Sequence, residues 1–181
     1  RDHQLTFDFI DFIREINRIY YDKAAEKNIK YDVDWDKVNF KHSILIGNPV
    51  YLGRALSNIA SNAVKFSPSG STITVWGNEE IIDDKHVLYT LYCKDEGEGM
   101  TDEFIKHAFD MFSQQNQTSR TKYEGSGLGL AMSKKLIERM GGSIKLESKK
   151  GVGTTAIIKI PFELGDMDTI GSIDYENVPT K

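Results

Sequence analysis

Asn58, Asn62 and Lys65 follow one another at steps of four and three residues in a stretch of helical periodicity. At about 100° per residue they fall within about 60° of one another, on a face away from the apolar stripe of Leu52, Ala55, Leu56, Ile59, Ala63 and Phe66. Such a face is commonly plain solvated surface. Its chemical alternative is a hard-cation site, because an amide oxygen can ligate Mg2+ beside phosphates and Lys65 would add a point charge. Asp95-Glu96-Gly97-Glu98-Gly99-Met100 closes an alternating run further along. It reads either as a β-turn opened by Asp or as a carboxylate at the floor of a pocket, accepting an exocyclic amine. In the second reading the two glycines let the backbone lie flat against a planar ring. A calcium loop is excluded, since Lys106 falls where that loop needs a bidentate Glu.

Gly125, Ser126, Gly127, Leu128, Gly129 and Leu130 form the third cluster. Alternating glycines that open into a helix present unpaired N–H groups and a positive dipole end, which suits phosphate. A dinucleotide-fold fingerprint would have to follow a buried strand. Here the polar run from Gln114 to Arg120 precedes it, and no P-loop Gly-Lys-Ser/Thr exists. His3, His42, His86 and His107 form no metal-binding spacing.

The elements that must position these residues follow from periodicity and punctuation. Phe9, Phe12, Ile13, Ile16, Ile19 and Tyr20 predict an amphipathic helix to about Lys27, capped by Thr6 or Asp8 and ended by Asn28. Asn48 and Pro49 start a second helix that runs to Phe66. Leu130, Met132, Leu136, Ile137 and Met140 predict a third, and Thr101 caps a short one ending near Phe109 or Phe112. Alternation predicts strands over 29–34, 40–46, 71–78, 87–94, 143–148 and 154–160, with Leu5–Asp8 a strand or lead-in. Residues 113–124 are polar and read as a flexible lid. The fold class expected is α+β: a two-layer α/β sandwich with one mixed, mainly antiparallel sheet of about five strands and about three helices on one face. One domain is expected over 1–162, with a linker over 163–181.

With 181 residues, 39% of them hydrophobic and 28% charged, the chain can build one full core. A net charge of -4 without a long basic run argues against a nucleic-acid partner. Cys93 is the sole cysteine, so there is no internal disulfide and no cysteine metal site. No apolar run approaches the ~20 residues that span a bilayer. The first residue is Arg1, so a piece of a longer protein is expected, cytoplasmic itself and with a parent that can be membrane-anchored.

Taken in order, Asn58-Ile-Ala-Ser-Asn62-Ala-Val-Lys65-Phe66, Asp95-Glu-Gly97-Glu-Gly99-Met100, Phe109-Asp-Met-Phe112 and Gly125-Ser-Gly127-Leu-Gly129-Leu130 resemble the N box, first glycine box, F box and second glycine box of sensor histidine kinases. Gly141-Gly142-Ser143-Ile144 and Gly151-Val-Gly153-Thr154-Thr155 complete the likeness to their catalytic, ATP-binding domain over about residues 5–162. The 113–124 stretch resembles the lid of hybrid kinases, in which a receiver domain follows. The resemblance implies ATP and Mg2+ as cofactors. It makes Asn62 the Mg2+ ligand, Asn58 the residue that orients it, and Lys65 a phosphate contact along with Arg120 or Lys122. It makes Asp95 the partner of the adenine amine, with Gly97, Gly99 and Thr154 lining that end. Phe66, Met100, Phe112, Gly125 and Ser126 complete the nucleotide-binding set, and the N–H groups of Gly127, Leu128, Gly129 and Leu130 hold the β- and γ-phosphates.

The implied reaction moves the γ-phosphoryl group to a histidine on a helical dimerisation domain of the same protein, which would be a homodimer, and then to a response regulator or fused receiver domain. None of the four histidines has the His-Asp/Glu-x-Arg context of such an acceptor, so a monomeric chain that does not label itself is expected. The alternative is a regulatory module that binds nucleotide and is catalytically silent. Gyrase, heat-shock chaperone and mismatch-repair ATPases put Glu where Asn58 stands, and an amide cannot act as their general base. Four positions depart from the family's habit: Asn48 for Asp, Arg54 for Gln, Ala156 for an aromatic and Glu124 for Gly.

Overall fold

The computed structural model describes residues 4–110 and 128–172. The strands are β1 (Leu5–Asp8), β2 (Lys30–Val33), β3 (Ile44–Gly47), β4 (Thr72–Ile81), β5 (His86–Asp95), β6 (Ser143–Lys149) and β7 (Gly153–Leu164). The helices are α1 (Phe9–Glu26), α2 (Pro49–Phe66), α3 (Asp102–Lys106) and α4 (Leu128–Arg139). One mixed sheet runs in the order β1-β3-β7-β5-β4-β2, and β6 shares an edge of β7 with β3. All its pairings are antiparallel except the edge pair β2–β4, which is parallel. The α+β sandwich expected from the sequence is present, with seven strands in place of five. The short segments read as strands at 29–34 and 40–46 and the lead-in at Leu5–Asp8 all join the sheet, as β2, β3 and β1 of four residues each.

Local chemistry sets the helix boundaries. Asp8 caps α1 through Ile10 N–H at 2.9 Å, Asn48 caps α2 through Tyr51 N–H at 3.0 Å, and Thr101 caps α3 through Phe104 N–H at 3.1 Å. Asn28 takes a left-handed φ of 60° just past α1, a conformation Asn tolerates. The helix capped by Thr101 is shorter than expected and stops at Lys106, where His107 N–H turns back to the carbonyl of Phe104.

The core lies between the helices and the inner sheet face. Leu52, Ala55, Leu56, Ile59, Ala60, Ala63 and Val64 of α2 pack with Ile73, Tyr89, Leu91, Ile158 and Ile160. Tyr89 is wholly buried and donates its hydroxyl to the carbonyl of His42 at 2.7 Å. On the other face Trp76 and Tyr92 stack at 4.8 Å and 9°, as alternation against Ile73 and Val75 requires.

The face that α4 buries differs from the apolar periodicity. Ala131 and Ser133 are buried, while Leu130 and Met132 are only half-buried. Small side chains let α4 approach α2 closely, and Ser133 Oγ donates to the carbonyl of Ala55 at 3.0 Å. Beyond the expected end at Ile160, β7 continues to Leu164, and a 3-10 turn at Met167–Ser172 follows. Thr169 Oγ1 in that turn donates to Thr6 Oγ1 of β1 at 2.9 Å. Among the described residues no helix is long and apolar enough to cross a membrane.

Candidate functional site

Asp95 is the last residue of β5, in the middle of the sheet. Its Oδ1 accepts from the N–H of Gly97 at 2.9 Å and from the N–H of Thr154 on β7 at 3.2 Å. One carboxylate oxygen therefore folds the glycine loop back and ties it to the neighbouring strand. Gly97 passes so close to the end of α2 that a Cβ there would stand 2.7 Å from the carbonyl of Phe66. Gly99 has φ +75°, and a Cβ on it would collide with the carbonyl of Lys149. Only glycine satisfies both positions.

The β6–β7 hairpin holds the loop from the other side. Met100 N–H donates to Ser148 Oγ at 2.8 Å, Ser148 Oγ donates to the carbonyl of Gly153 at 3.0 Å, and the Thr154 hydroxyl lies 2.6 Å from Ser148 Oγ. Lys150 pairs with Glu98 at 2.7 Å, and Gly151 N–H reaches the carbonyl of Glu98 at 2.6 Å. Ser148 was not among the residues the sequence singled out. The signal available was its place opposite Thr154 in the hairpin register.

Asp95, Gly97, Gly99, Met100, Phe66 and Thr154 line one cavity with Ile59, Ala63, Cys93, Leu130, Leu146 and Ala156. Its volume is about 50 Å³, small against the ~300–1,000 Å³ of ordinary ligand pockets. A planar ring enters only by displacing wall side chains, and the unbranched Met100 is suited to that. Burial first, and the charge of Asp95 second, push the Cys93 thiol up to about 12.

Gly129, in the first turn of α4, faces Asn62: a Cβ built on it would lie 3.8 Å from Asn62 Nδ2 and 4.0 Å from Oδ1. The helix start left by the alternating glycines and the second Asn of α2 are thus neighbours. Lys65 is half-buried in the last turn of α2, where its carbonyl accepts from Lys27 Nζ at 3.2 Å. Asn58 is one turn further back on the same helix. It lines a groove of about 550 Å³ between α1, α2 and α4, with Phe12, Glu15, Arg54, Met132 and Leu136. Phe112, Arg120, Lys122, Gly125, Ser126 and Gly127 lie outside the described residues, as does the expected lid over 113–124. For Leu128 only the backbone, in the first turn of α4, is described.

No group of three or more His, Cys, Asp or Glu residues is placed to hold a metal ion among the described residues. Any metal here would depend on amide oxygen, Asn62 being the candidate, together with oxygens brought by a ligand.

Residues 47–164 match the family model described as Histidine kinase-, DNA gyrase B-, and HSP90-like ATPase. The chain is 29% identical over 162 residues to the autoinducer 2 sensor kinase/phosphatase LuxQ of Vibrio vulnificus strain YJ016, covering 90% of the chain and 19% of the relative. It is 37% identical over 125 residues to the sensor protein EvgS of Escherichia coli strain K12, covering 68% of the chain and 10% of the relative. The chain thus spans a fifth or less of the length of these curated relatives. Full-length ShkA, solved in complex with AMPPNP, superposes with a TM-score of 0.71 at 23% identity, over 91% of this chain and 32% of that one. The catalytic domain of histidine kinase ThkA superposes with a TM-score of 0.66 at 22% identity, over 87% of this chain and 95% of that one. With the family model covering well over half the chain, and the fold and glycine-loop geometry in accord, the chain belongs to the histidine kinase-, DNA gyrase B- and HSP90-like ATPase family.

Proposed function

We propose that the chain binds Mg-ATP between α2, the Asp95 loop and the start of α4, and acts as the catalytic half of a protein-histidine kinase. What supports this reading is a pair of neighbouring placements: Asp95, clamped by two backbone N–H groups, lines a cavity that Leu130 of α4 also lines, and Asn62 faces Gly129, the residue before Leu130. A fixed carboxylate accepts an adenine amine. Backbone N–H groups at the first turn of α4 take phosphate oxygens, and Lys65 adds positive charge. Mg2+, when bound, would neutralise phosphate charge; Asn62 is the donor this chain offers it. Phosphoryl transfer of this kind rests on positioning and charge stabilisation more than on covalent help from the protein.

The acceptor imidazole is assigned to a helical dimerisation domain of the same protein, and the onward acceptor to a response regulator or fused receiver domain. His42, His86 and His107 support an outside acceptor. Each sits on the surface within 2.6–2.9 Å of a carboxylate, from Glu79, Asp83 and Asp110 respectively, and none lines the cavity. The 550 Å³ groove beside Asn58 supports docking of that helical domain there. The test is incubation with γ-labelled ATP, alone and with the acceptor domain added. Acid-labile, base-stable label is expected on the acceptor domain and not on this chain. Label on this chain alone, or ATP hydrolysis at ~1 per second or faster, would overturn the reading.

A further inference from the structure

A second cavity, of about 480 Å³, lies between α1 and the β2–β4–β5 end of the sheet. Its walls are apolar, built from side chains such as Ile13, Ile16, Leu56, Ala60, Val75 and Leu91. It reaches the surface beside Tyr21 and Trp35, which are 58% and 73% exposed. That volume lies within the range of small-molecule sites. Apolar walls without neighbours forgo dispersion contacts that a bound apolar body would restore. The charged residues lining it are Arg14 and Arg18. Arg18 is already held by two hydrogen bonds to Glu15 and lies 3.9 Å from Asp22, which leaves Arg14 as the guanidinium a ligand can engage. Arg14 has only a surface contact at 3.8 Å with Asp11, both about three-quarters exposed, and such a pair holds a guanidinium weakly. Ile59 and Cys93 line both this cavity and the one floored by Asp95, so the two spaces stand back to back with a shared wall.

We propose that this cavity is a second ligand site, distinct from the nucleotide cleft, for a small amphiphilic anion: an aromatic or aliphatic body carrying one carboxylate or sulfonate. The body fills the space under α1, and the anionic group lies at the mouth near Arg14. Its existence does not depend on the kinase reading, because no residue assigned to nucleotide or metal contact lines it.

The probe pair that tests this is 1-anilinonaphthalene-8-sulfonate and its uncharged counterpart N-phenyl-1-naphthylamine, titrated by fluorescence into the whole chain. One sulfonate probe should bind per chain, at least about fivefold tighter than the uncharged probe, and should raise the midpoint of a cooperative thermal transition. Ala60→Phe, which fills the cavity from α2, should weaken both probes about tenfold or more. Ile13→Trp, at a half-buried position near the mouth, should do the same where Ala60→Phe disturbs folding. Arg14→Gln should bring the sulfonate probe down to the uncharged one. Saturating AMPPNP should leave the stoichiometry at one. Full displacement by nucleotide, non-saturating binding, or undiminished binding in both filling variants would overturn the site. Equal affinity for the two probes would overturn the anionic assignment.

Discussion

Replacing Asp95 by Asn separates its two jobs. Oδ1 holds Gly97 N–H at 2.9 Å and Thr154 N–H at 3.2 Å, and an amide oxygen can accept both bonds. What Asn removes is the charge, and it puts an N–H donor where a carboxylate oxygen could accept the adenine amine. A hydrogen bond to a charged group contributes about 1.5–3 kcal/mol. At about 1.4 kcal/mol per tenfold, Mg-ATP affinity should fall roughly 10- to 150-fold, with little change in melting temperature. Inosine triphosphate supplies a finer readout, since it carries a carbonyl where ATP carries the amine. The Asn variant should prefer ATP over inosine triphosphate far less than the parent does. Asp95→Ala removes the clamp as well. Leaving two part-buried N–H groups without their acceptor should cost about 1–3 kcal/mol of stability, a drop of roughly 2–12 °C for a domain of this size. Calorimetric titration and thermal unfolding of the three proteins decide it. If Asp95→Asn binds ATP as tightly as the parent with unchanged base preference, the carboxylate does not read the adenine. If Asp95→Ala melts with the parent, it does not clamp the loop.

Other perturbations probe the same cleft. Gly129→Ala should raise the melting temperature slightly, because Ala is favoured over Gly in a helix by about 0.5–1 kcal/mol. It should also weaken Mg-ATP binding, by placing a methyl group 3.8 Å from the Asn62 amide; calorimetry with and without Mg2+ checks both. Gly99→Ala meets a left-handed φ and the carbonyl of Lys149 together, and should destabilise by about 2 kcal/mol or more in urea unfolding. Ser148→Ala should cost about 1–2 kcal/mol in the same assay, since Met100 N–H loses its acceptor. The Cys93 thiol, raised to about 12 from an ordinary 9.0, should react slowly with Ellman's reagent at pH 8 until the protein is unfolded. The stability linked to that thiol is full below about pH 9 and lost as pH rises toward 12, and Cys93→Ala should flatten the fall.

Much of this was legible because the signals are local. Asn48, Pro49 and Thr101 announce helix starts through one side chain each, and Asp95 falls at a strand end where alternation stops. What escaped the sequence is tertiary. The juxtaposition of Asn62 with Gly129 depends on two helices approaching over Ala131 and Ser133, and apolar periodicity favours Leu130 and Met132 instead. Ser148 is an ordinary strand residue until the hairpin register sets it beside Thr154 and Met100. The two cavities that share Ile59 and Cys93 have no linear signature, because their walls come from α1, α2, α4 and five strands.

On α2, Asn58 stands one turn before Asn62 and lines the groove shared with α1 and α4, and this bears on whether water can be the acceptor. Hydrolysis needs a base near the attacking oxygen. Asn58 cannot be one, so a carboxylate in its groove would have to substitute. Glu15 is the carboxylate that lines that groove. Its hydrogen bond and ion pair with Arg18 hold it below the usual carboxylate range, which makes it a poorer proton acceptor than an unpaired Glu. An imidazole needs no such help, because its neutral nitrogen already carries the lone pair. The groove at Asn58 is therefore better suited to receiving a nucleophile than to activating water, and Arg18→Gln with Glu15 retained is the change that should raise whatever slow ATP hydrolysis the chain shows. If that variant hydrolyses no faster than the parent, Glu15 has no access to the reacting phosphate, and slow hydrolysis reflects the absence of any base at all.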